Sequence, residues 1–266
     1  MDYEEYIKNR FEGAEESTAE DDVSLDFWEG IIGSAGEMSF ADLINSRIVS
    51  ARPVDWKEPD KVRIEIFDSF AGKIPVIYIG NSDDFESLVT NLVHKGIRPD
   101  DIGKTGASFI YGKSVRFIIL SAKPYSNVLS SELGLDEEEW AQKSMLIRRS
   151  HECTHFFTKK TYGITNNILH DELMADFIGL YDAFGYYKSE WFLKFLGIIK
   201  SSGSRLDVYT RDLTPDAVEE VRNMAVKASK GLEKWSKSKG FASMSNAERI
   251  RLMCKTGLNG LACWDE

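Results

Sequence analysis

The chain has 266 residues and a formal net charge of −10, with 43 acidic against 33 basic side chains. That length can build a sizeable core, as one domain with two lobes or as two small domains. The acidic balance argues against nucleic acid or an anionic membrane surface as the main partner, because phosphate binding needs clustered Lys and Arg.

At the N-terminus no apolar stretch follows a basic start, and no apolar run along the chain approaches the ~20 residues of a membrane span, so a cytoplasmic protein is expected. Cys153, Cys254 and Cys263 are too few and too irregularly spaced for a disulfide framework and read as reduced thiols. Residues 12–26 carry Glu12, Glu15, Glu16, Glu20, Asp21, Asp22 and Asp26 with few apolar partners, so residues 1–30 read as a flexible acidic segment.

A sheet-containing lobe is expected over residues 31–135. Residues 62–67 alternate, and residues 74–79 follow Gly72, so the two runs read as a hairpin ending at Gly80. Asp84 is placed to cap a helix over residues 85–95, closed by Gly96. Residues 108–111 and 114–120, joined at Gly112-Lys113, read as a second hairpin. Gly112-Lys113-Ser114 ends a relaxed phosphate-loop pattern, but residues 108–111 contain no glycine and a strand follows, so nucleotide binding is not expected.

Residues 136–266 read as a helical lobe. Asp136 and Glu139 make a capping-box-like start to a helix running to about residue 160 without Gly or Pro. Leu169, Leu173, Phe177 and Leu180 keep a helical period after a turn around Gly163. Residues 191–196 begin another apolar helix, Thr214-Pro215 opens one to about residue 238, and Ser245 with Glu248 boxes a last one through Met253.

Within the first of these helices, His151-Glu152-Cys153-Thr154-His155 is an HExxH sequence. At 3.6 residues per turn the two histidines stand about 40° apart around the axis, one turn along it, so both reach one ion. Glu152 lies about 100° round from His151, near the metal without having to ligate it. This is the pattern of a zinc site with its own general base. A catalytic zinc takes three protein ligands and an open position, so a third ligand is needed. Glu172 and Asp176, one turn apart on the following helix, share a face.

An HExxH followed by a helical ExxxD resembles the gluzincins, the zinc metallopeptidases that include the thermolysin group. The resemblance covers about residues 148–180. It implies that His151, His155 and Glu172 hold one Zn2+ per chain, that Glu152 is the base, and that Asp176 accepts the free ring N–H of His151 and fixes its tautomer. It further implies a zincin-like α+β architecture with the metal between the lobes, and a sheet whose edge strand pairs with an extended peptide; the second hairpin is where that strand is expected. One departure is Asp171, which stands where thermolysin-like enzymes have Asn. His170 competes as third ligand by its chemistry, but it lies about 200° from Glu172, so the two cannot both face the ion. Asp171 has Ala175, which has no polar group, one turn on. A third histidine six residues after the second, as in metzincins, is absent, because Thr161 stands there.

The expected activity is that of a metallopeptidase acting on a peptide or protein substrate, with Glu152 accepting the proton as zinc-bound water attacks a polarised carbonyl. Donors for the developing oxyanion are sought at Tyr162, Arg205 and Tyr209. The alternative is a zincin-like protein with a structural metal or an inactive site, acting as a binding module.

Overall fold

The computed structural model describes residues 1–17, 24–112 and 115–264. The chain divides into two compact units, Glu20–Lys123 and a second made of Met1–Ala19 with Pro124–Glu266. The elements in chain order are α1 (Tyr3–Ile7), α2 (Asp26–Gly33), α3 (Phe40–Arg47), β1 (Val62–Ser69), β2 (Gly72–Ile79), α4 (Ser82–Leu92), β3 (Ala107–Tyr111) and β4 (Arg116–Ser121). There follow α5 (Ser130–Leu133), α6 (Glu137–Tyr162), α7 (Leu169–Phe184), α8 (Ser189–Leu196), α9 (Leu206–Tyr209), α10 (Pro215–Ser236), α11 (Lys239–Ala242) and α12 (Asn246–Cys263). The protein is therefore α+β, with one small mixed sheet and a mostly helical remainder. Among the described residues, no helix is long and apolar enough to cross a membrane.

In the sheet unit, β1 and β2 pair antiparallel with Ser69 opposite Gly72, β2 runs parallel to β4, and β3 returns antiparallel to β4. The strand order is β1-β2-β4-β3, which leaves β3 at one edge. The parallel step requires a crossover, and α4 lies within it. Alternate residues of β1, Val62 and Ile64, turn inward against Trp28, Ile44, Phe85, Leu88 and Phe117, while the central strand β2 is buried along most of its length. One expectation is corrected. Helix α4 is capped by Asn81, whose side chain accepts from the N–H groups of Asp83 and Asp84. The Asp84 carboxylate instead accepts the N–H groups of Lys57 and Glu58. The expected turn at Gly112-Lys113 lies partly outside the described residues.

The helical unit starts earlier than its sequence suggests, and it includes the N-terminus. Residues 1–17 do not form a separate acidic segment: Tyr6, Ile7 and Phe11 are buried, and the Leu169 N–H donates to the Tyr6 hydroxyl at 3.0 Å. Asn9 donates to the Cys254 carbonyl at 2.9 Å. Three apolar side chains and two polar anchors outweigh the charge of the intervening residues. Residues 18–23 of the expected acidic segment lie outside the described residues.

Helix α6 begins at Asp136, whose carboxylate accepts from Glu138 and Glu139, and ends at Gly163 with φ 70, a left-handed turn that favours glycine. Helix α7 then returns against α6. The two approach closely because Gly179 faces Ile147: a Cβ at Gly179 would come within 2.7 Å of the Ile147 carbonyl oxygen. Thr214 caps α10 and the Ser245/Glu248 capping box opens α12, which continues past Met253, breaks at Gly257 with φ 69 and resumes to Cys263.

Candidate metal centre

The histidines of HExxH lie on one buried face of α6, with their Nε2 atoms 3.1 Å apart. Glu172 enters from the first turn of α7. Its Oε2 is 3.5 Å from His151 Nε2 and its Oε1 is 3.5 Å from His155 Nε2. Ligands held at about 2.0–2.2 Å by a tetrahedral ion stand about 3.3–3.6 Å from one another. Two imidazole nitrogens 3.1 Å apart, just below that range, and a carboxylate with an oxygen 3.5 Å from each converge in a buried site, close to the size and of the donor chemistry such an ion needs. All three donors belong to the helical unit.

Behind His151 lies a second ring of polar groups. Its Nδ1 is 2.8 Å from Asp176 Oδ1 and 2.9 Å from the Tyr125 hydroxyl. Tyr125 donates to Asp176 Oδ1, and Arg205 donates to both Tyr125, at 3.2 Å, and Asp176 Oδ2. Asp176 is fully buried, and these three donors satisfy it. With Asp176 charged, Nδ1 is the protonated nitrogen of His151, and its Nε2 lone pair faces Glu172 and His155.

The electrostatics follow from these pairs. Burial opposes a charge on His155, but its pairing with Glu172 outweighs that and lifts its pKa to about 9. Burial likewise opposes the Glu172 carboxylate, and the two histidines hold it down at about 2. Asp176 is lowered despite complete burial, chiefly by Arg205 and then by His151. His170 points elsewhere: it meets the Met253 carbonyl at 3.2 Å and the Phe11 ring, and burial without an acidic partner lowers its pKa to about 4. Asp171 accepts the Asn166 N–H through Oδ2, and burial raises its pKa to about 6.

The other residues singled out in the sequence separate into two groups. Glu152 is half-buried, and its charge acts on His155. Tyr209 is brought to the centre, donating to Glu172 Oε2 at 2.9 Å, and Arg205 is brought to its second ring. Tyr162 is not: it packs edge-on against Phe11 and donates to Glu16, because it ends α6 on the side where the N-terminal residues lie. Arg205 and Tyr209 are already engaged by Asp176 and Glu172, so in this state neither is a free oxyanion donor.

Tyr125 has no signal in the sequence except its place after Pro124; nothing periodic leads to it. Trp140, Ser144, Arg148, His151 and His155 are spaced three or four residues apart, and this stripe is what aligns the turn carrying Tyr125 with the two histidines.

The chain belongs to the family of unknown function DUF7005. The match covers residues 39–115 and 114–265, a span that contains all the donors described above. No curated protein and no solved structure matches the chain significantly.

Proposed function

We propose that the protein is a zinc-dependent hydrolase of peptide bonds with a gluzincin-like centre in a zincin-like fold. The observation that carries this reading is the convergence of His151, His155 and Glu172 at separations suited to a tetrahedral ion, on helices that also carry Glu152 and Asp176. When bound there, zinc supplies Lewis acidity, acidifying water and polarising a carbonyl.

The chain's own residues do the rest. Asp176 keeps the His151 proton on Nδ1. The Glu152 carboxylate takes a proton from the attacking water and returns it to the departing amine. Tyr209, the hydroxyl nearest the ligand carboxylate, is the side chain placed to turn from Glu172 towards a developing oxyanion.

The test is Glu152→Gln, assayed on a peptide library beside wild type. It should keep its metal and lose about 10²–10⁴-fold in turnover. Wild-type turnover in that variant, or an inactive wild type that carries metal, would instead favour a non-catalytic centre serving as a structural or binding module. The engagement of Arg205 and Tyr209 by the carboxylates Asp176 and Glu172 is the one observation on that side.

A further inference from the structure

Tyr125 sits in a backbone turn that L-residues adopt only at an energetic cost. Ser126 and Asn127 follow it with φ 56 and φ 58, two consecutive side-chain-bearing residues in the left-handed region. Such strain persists where surrounding contacts over-determine it, and an observed outlier of this kind points to function.

Those contacts are present on every side. The Tyr125 N–H donates to Ser144 Oγ at 2.9 Å, Arg148 donates to the Pro124 carbonyl at 2.9 Å, and the Trp140 indole donates to the Val128 carbonyl at 2.7 Å. Ser126 Oγ donates to the Phe195 carbonyl at 2.9 Å. Trp140, Ser144 and Arg148 occupy successive turns of α6, and His151 and His155 continue the same stripe. The helix face that holds the turn is thus the face that carries the histidines.

The result of this anchoring is the position of one hydroxyl. Tyr125 Oη donates to Asp176 Oδ1, lies 2.9 Å from His151 Nδ1 and accepts from Arg205 at 3.2 Å. Without it, Asp176 would lose one of its three hydrogen-bond donors, and the carboxylate would be free to pivot about its Arg205 contact and away from His151 Nδ1.

We propose that Tyr125 is a positioning residue that, through Asp176, sets the tautomer and the aim of His151 and so shapes the metal centre. The proposal rests on the reading of His151, His155 and Glu172 as metal ligands. A bland alternative, in which Tyr125 is an aromatic core residue packed on Phe195 and near the guanidinium groups of Arg148 and Arg205, would need only the ring.

Tyr125→Phe keeps that ring and deletes the hydroxyl. Full-length wild type and variant, stripped of metal, are titrated with zinc against a competing chelator, and the imidazole ¹⁵N shifts of His151 are recorded in the metal-free state. Zinc affinity should fall about 10–100-fold, as for other partners that orient a ligand histidine, and His151 should lose its single Nδ1–H tautomer. Tyr187→Phe is the control. Tyr187 is equally buried, its hydroxyl has no hydrogen-bond partner among the described residues, and both readouts should stay unchanged. Wild-type affinity together with an unchanged tautomer in Tyr125→Phe would overturn the proposal. If wild type takes up no zinc, the metal reading fails by itself, and the tautomer comparison still decides the role of Tyr125. Should Tyr125→Phe not fold, Ser144→Ala releases the turn while keeping the hydroxyl; it should weaken zinc several-fold, and unchanged affinity there counts against the proposal equally.

Discussion

In the sheet unit the buried carboxylates are held by partners that cannot leave, whereas in the helical unit Glu172 is held by protons that can. Glu86 is clamped by Lys123 and Arg98, and Asp84 accepts two backbone N–H groups. Neither has anything to exchange for an ion. Glu172 is faced by two imidazoles and a tyrosine hydroxyl, and it pairs with a proton on His155. A divalent cation can displace that proton and satisfy the same atoms. Burial of acidic groups alone therefore says little about function; the kind of partner decides whether the group is a structural tie or a ligand.

The contrast is broken most directly by neutralising one carboxylate in each unit. Glu172→Gln should weaken zinc by about 10²–10³-fold, the share of one ligand in a site worth roughly 10–16 kcal/mol. Glu86→Gln should leave zinc affinity unchanged and cost about 1–3 kcal/mol of stability, read by denaturant unfolding, because Lys123 and Arg98 lose a charged partner.

A pH series sharpens it. Because His155 is protonated below about 9 in the metal-free protein, competition titrations should show zinc affinity rising about tenfold per pH unit up to that value and then levelling. Stability of the metal-free protein carries the matching signs. The raised pKa of His155 contributes stability that is full below its ordinary 6.5 and lost as pH rises through about 9. The lowered pKa of Glu172 contributes stability that is full above its ordinary 4.5 and lost as pH falls through about 2. His170 is the internal contrast: its neutral form contributes stability that is full above 6.5 and lost as pH falls through about 4. Zinc should abolish the alkaline loss and leave the His170 limb in place.

A last prediction concerns helix spacing. Gly179→Ala drives a methyl group towards the Ile147 carbonyl and should cost about 1–3 kcal/mol in thermal or denaturant unfolding, with zinc affinity falling as α6 and α7 part.

What the sequence made legible was local. His151 with His155, and Glu172 with Asp176, are each one helical turn apart, and helical phase alone separates Glu172 from His170. The hairpins and the starts of α6, α10 and α12 were legible for the same reason, since caps and alternation are written within a few residues. Pairings across long stretches of chain were not. Arg205 meets Asp176 across 29 positions and Tyr125 meets it across 51, and no spacing rule links them. Arg205, read as a donor to substrate, turned out to be the counter-ion of a buried carboxylate. The N-terminal residues misled in another way: their acidic composition hid Tyr6, Ile7 and Phe11, whose burial is decided by the helices they meet.

Metal content per chain, measured by plasma mass spectrometry on purified wild type, Glu172→Ala and His170→Ala after zinc is supplied, tests the metal centre most directly. One zinc per chain in wild type and in His170→Ala, with none in Glu172→Ala, is the predicted result. Wild type without metal, or metal lost with His170 and kept without Glu172, would contradict it.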